Sequence, residues 1–228
     1  QADLSPRTLE AMMEAVLAGA PLARRGLQAK ARAMGLPAIA WYDLEAPLPI
    51  GDTERVSYAR GTELVRTAFG RVYPRLAAHF DDLLARGFIE AEPRAGKRPG
   101  AYCATSELSS ETRIFMTFQG SLGDVTTLAH EVGHSLHSEV LRGTRVLGRQ
   151  YPMTLAETAS TFAQSLLVDG LLADPTTPPA QRALLLGEDV VGRQPGGVRR
   201  YSEGGWGVGP EGLTEVVRAF SRHGLPLL

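Results

Sequence analysis

Apolar residues recur at intervals of three and four along most of the first ninety positions and again from Leu122 to Leu166, the spacing that lines one face of an α-helix. Ser5-Pro6 reads as N-cap and first helical residue, and Leu9, Met12, Val16 and Leu17 predict an amphipathic helix ending near Gly19. Pro21 opens a second, ending near Gly35. Trp41 to Pro49 has little periodicity and reads as a surface loop, in which Tyr42 is expected to pack and Asp43 to cap or turn. Asp52-Thr53-Glu54 opens a helix running through Leu64 and Val65 to Phe69-Gly70, and a further helix runs from about Pro74 to Arg86-Gly87.

From Phe88 the period changes to two. Ile114, Met116 and Phe118 alternate with Phe115 and Thr117, and Ala101 to Ala104 form a second apolar run across a polar loop, so two or three antiparallel strands are expected. Leu122, Val125, Leu128, Ala129, Val132 and Leu136 then return to helical spacing, with Asp124 as N-cap, and Leu155, Ala159, Phe162 and Leu166 stripe the helix after it. The sum predicts a mainly α fold with a small antiparallel β-sheet. After Asp174 the text changes: eight glycines fall between Gly192 and Gly212, a density that reads as loop or disorder. Only Thr214 to Phe220 recovers a helical stripe.

Twenty-four basic and 25 acidic side chains leave a net charge of −1, which gives no reason to invoke nucleic acid or an anionic membrane. One cysteine cannot form an internal disulfide, so a cytoplasmic setting is the default. No signal-peptide pattern and no apolar run long enough to span a bilayer appears. Cys103, in the apolar Ala-Tyr-Cys-Ala run, reads as a small core residue ahead of a thiol nucleophile or metal ligand. His79 has no second ligand type around it and reads as a half-buried or surface histidine; Lys97 and Arg98 read as solvated turn charges.

The candidate chemistry lies in His130-Glu131-Val132-Gly133-His134. Histidines four apart on a helix share a face, so both imidazoles can reach one zinc ion, with Glu131 beside it as general base. Gly133 is expected to leave room beside the metal. A third ligand is needed. The pattern continues to His137 and Val140, which excludes a third histidine at the Gly-x-x-His position, and Glu139 points away from the metal-facing side. Glu157 stands off the stripe of its own helix and can face the first. Thr154-x-x-Glu157 also reads as a capping box, but the upstream histidines favour the ligand.

Leu128 to His137 followed by Pro152-Met153-Thr154-Leu155-Ala156-Glu157-Thr158-Ala159-Ser160-Thr161-Phe162 resembles the thimet oligopeptidase family of zinc metallopeptidases, in its bacterial oligopeptidase F branch. Trp41 to Leu48, Gly96 to Cys103 and Gly120 to Val125 agree with it. The resemblance covers residues 1–188 and implies a partial zincin-like catalytic domain, one zinc ion on His130, His134 and Glu157, Glu131 as the base, and short unstructured peptides as substrates. It also implies peptide contacts at Gly100, Ala101 and Tyr102, where an edge strand can pair with an extended chain. The family's downstream tyrosines and histidine have no match here: Tyr201 and His223 lie in unrelated contexts, and residues 189–228 read as a divergent tail, disordered or frame-shifted. Two rival readings follow: a zinc-binding chain without turnover, and a helical structural protein with an accidental motif.

Overall fold

The computed structural model describes residues 5–44, 46, 48–49 and 55–192. Its helices are α1 (Pro6–Ala33), α2 (Tyr58–Val72), α3 (Pro74–Ala85), α4 (Leu122–Leu141), the single turn α5 (Met153–Ala156), α6 (Thr158–Ala173) and α7 (Pro179–Gly192). The strands β1 (Ile89–Glu90), β2 (Ala101–Ser106) and β3 (Glu111–Met116) lie between α3 and α4. These elements fall into two units: α1 and α7 belong to one, and everything from Arg55 to Asp174 to the other. Among the described residues no helix is long and apolar enough to cross a membrane. The glycine-rich tail, Thr214–Phe220, Tyr201 and His223 lie outside the described residues, as do Asp52, Thr53 and Glu54.

In the first unit, one helix stands where the sequence reads two. The Ser5 hydroxyl accepts the Thr8 N–H, Pro6 takes N1, and α1 runs on through Gly19 and Pro21 to Ala33. Proline in a helix interior loses a hydrogen bond and crowds the preceding turn. Here Pro21 itself is exposed, while the covered positions Val16, Ala20, Ala23, Leu27 and Ala31 keep helical spacing across it, so a continuous stripe overrides the local break. Leu9, Met12 and Leu17 are exposed, contrary to their expected role in that stripe. Tyr42 is exposed too, touching Trp41 edge-on, whereas Asp43 caps as expected by accepting the Ala40 N–H at 2.9 Å.

The second unit carries the site. α2 starts at Ser57, whose hydroxyl accepts the Arg60 N–H, and buries Val65, Ala68 and Phe69. α3 starts at Pro74 and buries Leu76, Phe80 and Leu83; Phe69 and Phe80 meet edge to face. Gly87, at φ +66°, ends α3 and lets the Phe88 N–H return to Leu83 O, a left-handed termination that favours glycine. The chain then enters a sheet ordered β1-β3-β2. β2 and β3 are antiparallel, but β1 pairs parallel to β3, so the sheet is mixed where a wholly antiparallel one is expected. Residues 91–110, which include β2, supply the long connection that a parallel pair of β1 and β3 needs.

α4 lies against β2, β3, α2, α3 and α6. Ser121 caps it, not Asp124: the Ser121 hydroxyl accepts the Asp124 N–H at 3.0 Å, and the Asp124 carboxylate accepts the Ser121 N–H at 2.8 Å, a reciprocal capping box. The expected stripe of Leu122, Val125, Leu128, Ala129, Val132 and Leu136 is buried throughout, each large member contributing about 1.5–3 kcal/mol. α6 is covered on several sides, with Ser160, Ala163, Leu166, Leu167, Val168 and Leu171 buried. Phe162 and Ala159 of its expected stripe are only half-buried, because α4 and α2 both pack on the helix and no single face is the inner one.

Candidate metal centre

His130 and His134 stand one turn apart on α4 with ring centroids 4.8 Å apart and planes at 81°. Opposite them, Glu157 occupies the joint between α5 and α6 with φ −91° and ψ 1°. Its carbonyl accepts the Thr161 N–H and opens α6, which leaves the side chain free to turn towards α4. Oε2 of Glu157 lies 3.1 Å from His130 Nε2 and 3.3 Å from His134 Nε2. The three ligand atoms fall within 4.8 Å of one another, a spacing that two imidazoles and a carboxylate need to share one ion. α5 begins before Thr154, so the alternative capping box at Thr154 has no helix N-terminus to close.

The approach of α6 to α4 depends on Gly133, for a reason other than the expected room at the metal. A Cβ built there would stand 2.5 Å from Ala159 O and 2.7 Å from Ser160 Cα. These are backbone atoms that no rotamer can move, so glycine is what allows the two helices to touch beside the cluster. Ser160, fully buried at this contact, donates from Oγ to Glu157 Oε2 at 2.8 Å.

Glu131 points between α4 and β2. It is 6% exposed, and its Oε2 has no hydrogen-bond partner. Burial pushes its carboxyl above the usual carboxylate range and the Glu157 charge adds to that, while His130 and the Cys103 backbone oppose it. An unpartnered buried acceptor beside three convergent donors fits a site built around a cation and a water. His134 is held below the ordinary histidine value, chiefly by burial, against the pull of Glu157.

Cys103 is half-buried on the same face of the sheet as the core residue Ile114, within reach of the Glu131 charge. Burial and the Glu131 charge push its thiol up to about 12, so it remains protonated and is no nucleophile at neutral pH. Ala101 and Tyr102 begin β2, an edge strand of the sheet, and Gly100 immediately precedes it. The register sets Cys103 opposite Ile114 and Tyr102 opposite Phe115. Since Ile114 and Met116 are buried on the α4 side, the Tyr102 ring lies on the other face, stacked on Phe115 at 5.2 Å. Its side chain is therefore turned away from the cluster.

Several groups behave in ways the sequence does not announce. Lys97 is not a solvated turn charge: its side chain is 1% exposed, its Nζ donates to the carbonyls of Glu90 and Glu92, and it lies 4.5 Å over the Phe115 ring. His79 is half-buried, as expected, and its Nε2 lies 2.8 Å from Ser135 Oγ, which in turn contacts Thr112 Oγ1 at 2.5 Å. A polar link thus ties α3 and β3 to α4 beside His134. His137 continues the face of His130 and His134 but stands outside the ligand cluster, stacked on Tyr151 at 4.4 Å. Gln164 meets His130 Nδ1 at 3.2 Å. The signal for it was available: position 164 is seven residues past Glu157, on the same side of a helix.

The profile described as peptidase family M3 matches residues 71–182. An oligoendopeptidase F homolog of Lactococcus lactis subsp. lactis (strain IL1403) is 34% identical over 187 residues, 78% of this chain and 30% of that protein. Oligopeptidase PepF of Bacillus subtilis (strain 168) is 27% identical over 67% of this chain and 23% of its own length. The solved structure of PZ peptidase A with an inhibitor superposes with a TM-score of 0.67 at 18% identity, over 84% of this chain and 35% of that one. The chain thus spans under a third of the length of these curated relatives.

Proposed function

The chain belongs to peptidase family M3, and from that premise we propose that it is a zinc-dependent endopeptidase acting on short, extended oligopeptides. The observation that carries this reading is the convergence of His130, His134 and Glu157 within 4.8 Å beside the buried, unpartnered Oε2 of Glu131. Nε2 of each histidine and Oε2 of Glu157 would hold one ion. When bound, zinc supplies Lewis acidity, bringing the pKa of water towards neutrality and polarising a carbonyl.

The protein's own groups do the rest. Glu131, buried beside the ligand cluster with an unpartnered Oε2, takes a proton from the attacking water and delivers it to the leaving amine. The free edge of β2 offers the main-chain groups of Ala101 to an extended peptide, while Gly100 and Tyr102 turn theirs towards β3, a pairing that selects conformation over side-chain identity. A cytoplasmic setting accords with a single, protonated cysteine.

The chain's coverage of about 30% of its relatives favours one second reading, metal binding without turnover. Mass-spectrometric cleavage of an unstructured peptide mixture, with and without chelator and beside Glu131→Gln, separates the two. We expect chelator-sensitive products that fall by about 10²–10⁴-fold in the variant, with stoichiometric zinc retained. A folded, zinc-loaded sample without products supports the second reading, and a folded sample that binds no zinc overturns both.

A further inference from the structure

α6 brings more than Glu157 to the cluster. Gln164 follows Glu157 by two helical turns, so both side chains leave the helix on the side that faces α4. Its Oε1 lies 3.2 Å from Nδ1 of His130, while Nε2 of the same ring faces Glu157 Oε2 at 3.1 Å. The two ring nitrogens thus have different neighbours: one meets the ligand cluster, the other an amide. With a cation on Nε2, the imidazole carries its proton on Nδ1, and that N–H needs an acceptor. The amide oxygen is the acceptor within reach.

Resting on the metal reading above, we propose that Gln164 is the positioning residue for His130. Its amide oxygen holds the ring proton on Nδ1 and the ring plane in place, so that Nε2 presents its lone pair to the ion. Because the amide is uncharged, it draws that proton less strongly than a carboxylate in the same place would. The ion is therefore held more loosely than a carboxylate at position 164 would hold it. The residue type at position 164 sets metal affinity without touching the metal.

The test is competition for zinc(II) between the full chain and a fluorescent chelator, on wild type, Gln164→Leu and Gln164→Glu. Removing the acceptor is expected to weaken zinc binding by about 10–100-fold, the range found when such supporting partners are lost. Supplying a carboxylate of the same shape is expected to tighten it by about tenfold. A merely structural side chain would lower the melting temperature without tightening zinc in the Glu variant. Any order other than Glu tighter than Gln tighter than Leu, including three affinities within about twofold, overturns the proposal. If the Leu variant does not fold, the comparison of Gln with Glu decides alone. Failure of the wild type to bind zinc at all would instead sink the metal reading, and this inference with it.

Discussion

Burial does different things to different titratable residues here, and His79 makes the clearest prediction. Its ring lies below the ordinary histidine value because burial penalises the cation; Glu139 and Asp82 pull it up, and Arg142 and Arg75 push it further down. The folded chain therefore keeps His79 neutral at a pH where the unfolded chain already takes a proton. Stability from this source is complete above about pH 6.5 and is lost as pH falls from there towards the depressed folded-state value. We expect the melting temperature of the wild type to drop between about pH 7.5 and pH 5.5. His79→Asn, which retains a partner for Ser135, should drop less over the same range. Parallel curves would show that His79 is not the group responsible. At this scale His130, Glu131 and His134 stand out in the sequence as candidates because residue type and helical spacing alone single them out. Lys97 was not: it looks like any basic turn residue until the fold lays Phe115 beneath it and two carbonyls around it.

Helices were legible as elements wherever one face is apolar, as in α2, α3 and α4, but two of their starts were not: Ser57 caps α2 in place of the opening read at Asp52-Thr53-Glu54, and Ser121 caps α4 in place of Asp124. The reading broke where local and tertiary signals conflict. Pro21 looks like a boundary, yet α1 continues because its covered stripe does. The two residues of β1 reveal a strand but not its direction, since nothing in so short a run says which neighbour it will meet. The contact of α4 with α6 makes the prediction proper to this scale. Gly133→Ala would drive a methyl group into Ala159 O and Ser160 Cα, at a cost of about 1–3 kcal/mol for a close-packed site. Because Glu157 lies half a turn before Ala159, separating the helices should also weaken zinc binding. Thermal melting and zinc titration of the variant check both, and a variant that melts and binds like wild type would remove Gly133 from this role.

For the whole molecule the consequence is linkage between metal and stability. The three proposed ligands come from two helices that meet only in the folded unit, so on the proposed function zinc should bind the native chain and stabilise it by mass action, about 2.7 kcal/mol at a hundred times its dissociation constant. Calorimetry is expected to show a melting temperature raised by zinc, lowered by chelator, and insensitive to both in His134→Ala. A wild type whose melting ignores zinc would count against a preformed site. What the sequence determined by itself was local: the histidine spacing, the flanking stripe of α4, the change from helical to strand period near Phe88. Periodicity and residue chemistry write these into neighbouring positions. What only tertiary structure decided joins distant positions: Glu157 as a partner of both histidines rather than a cap, Gly133 as the contact point of two backbones, Gln164 behind His130, and Tyr102 on the far face of the sheet. Each depends on the depth and angle at which α6 and β2 pack on α4, and those are set by the fit of many side chains at once, which no single stretch of chain encodes.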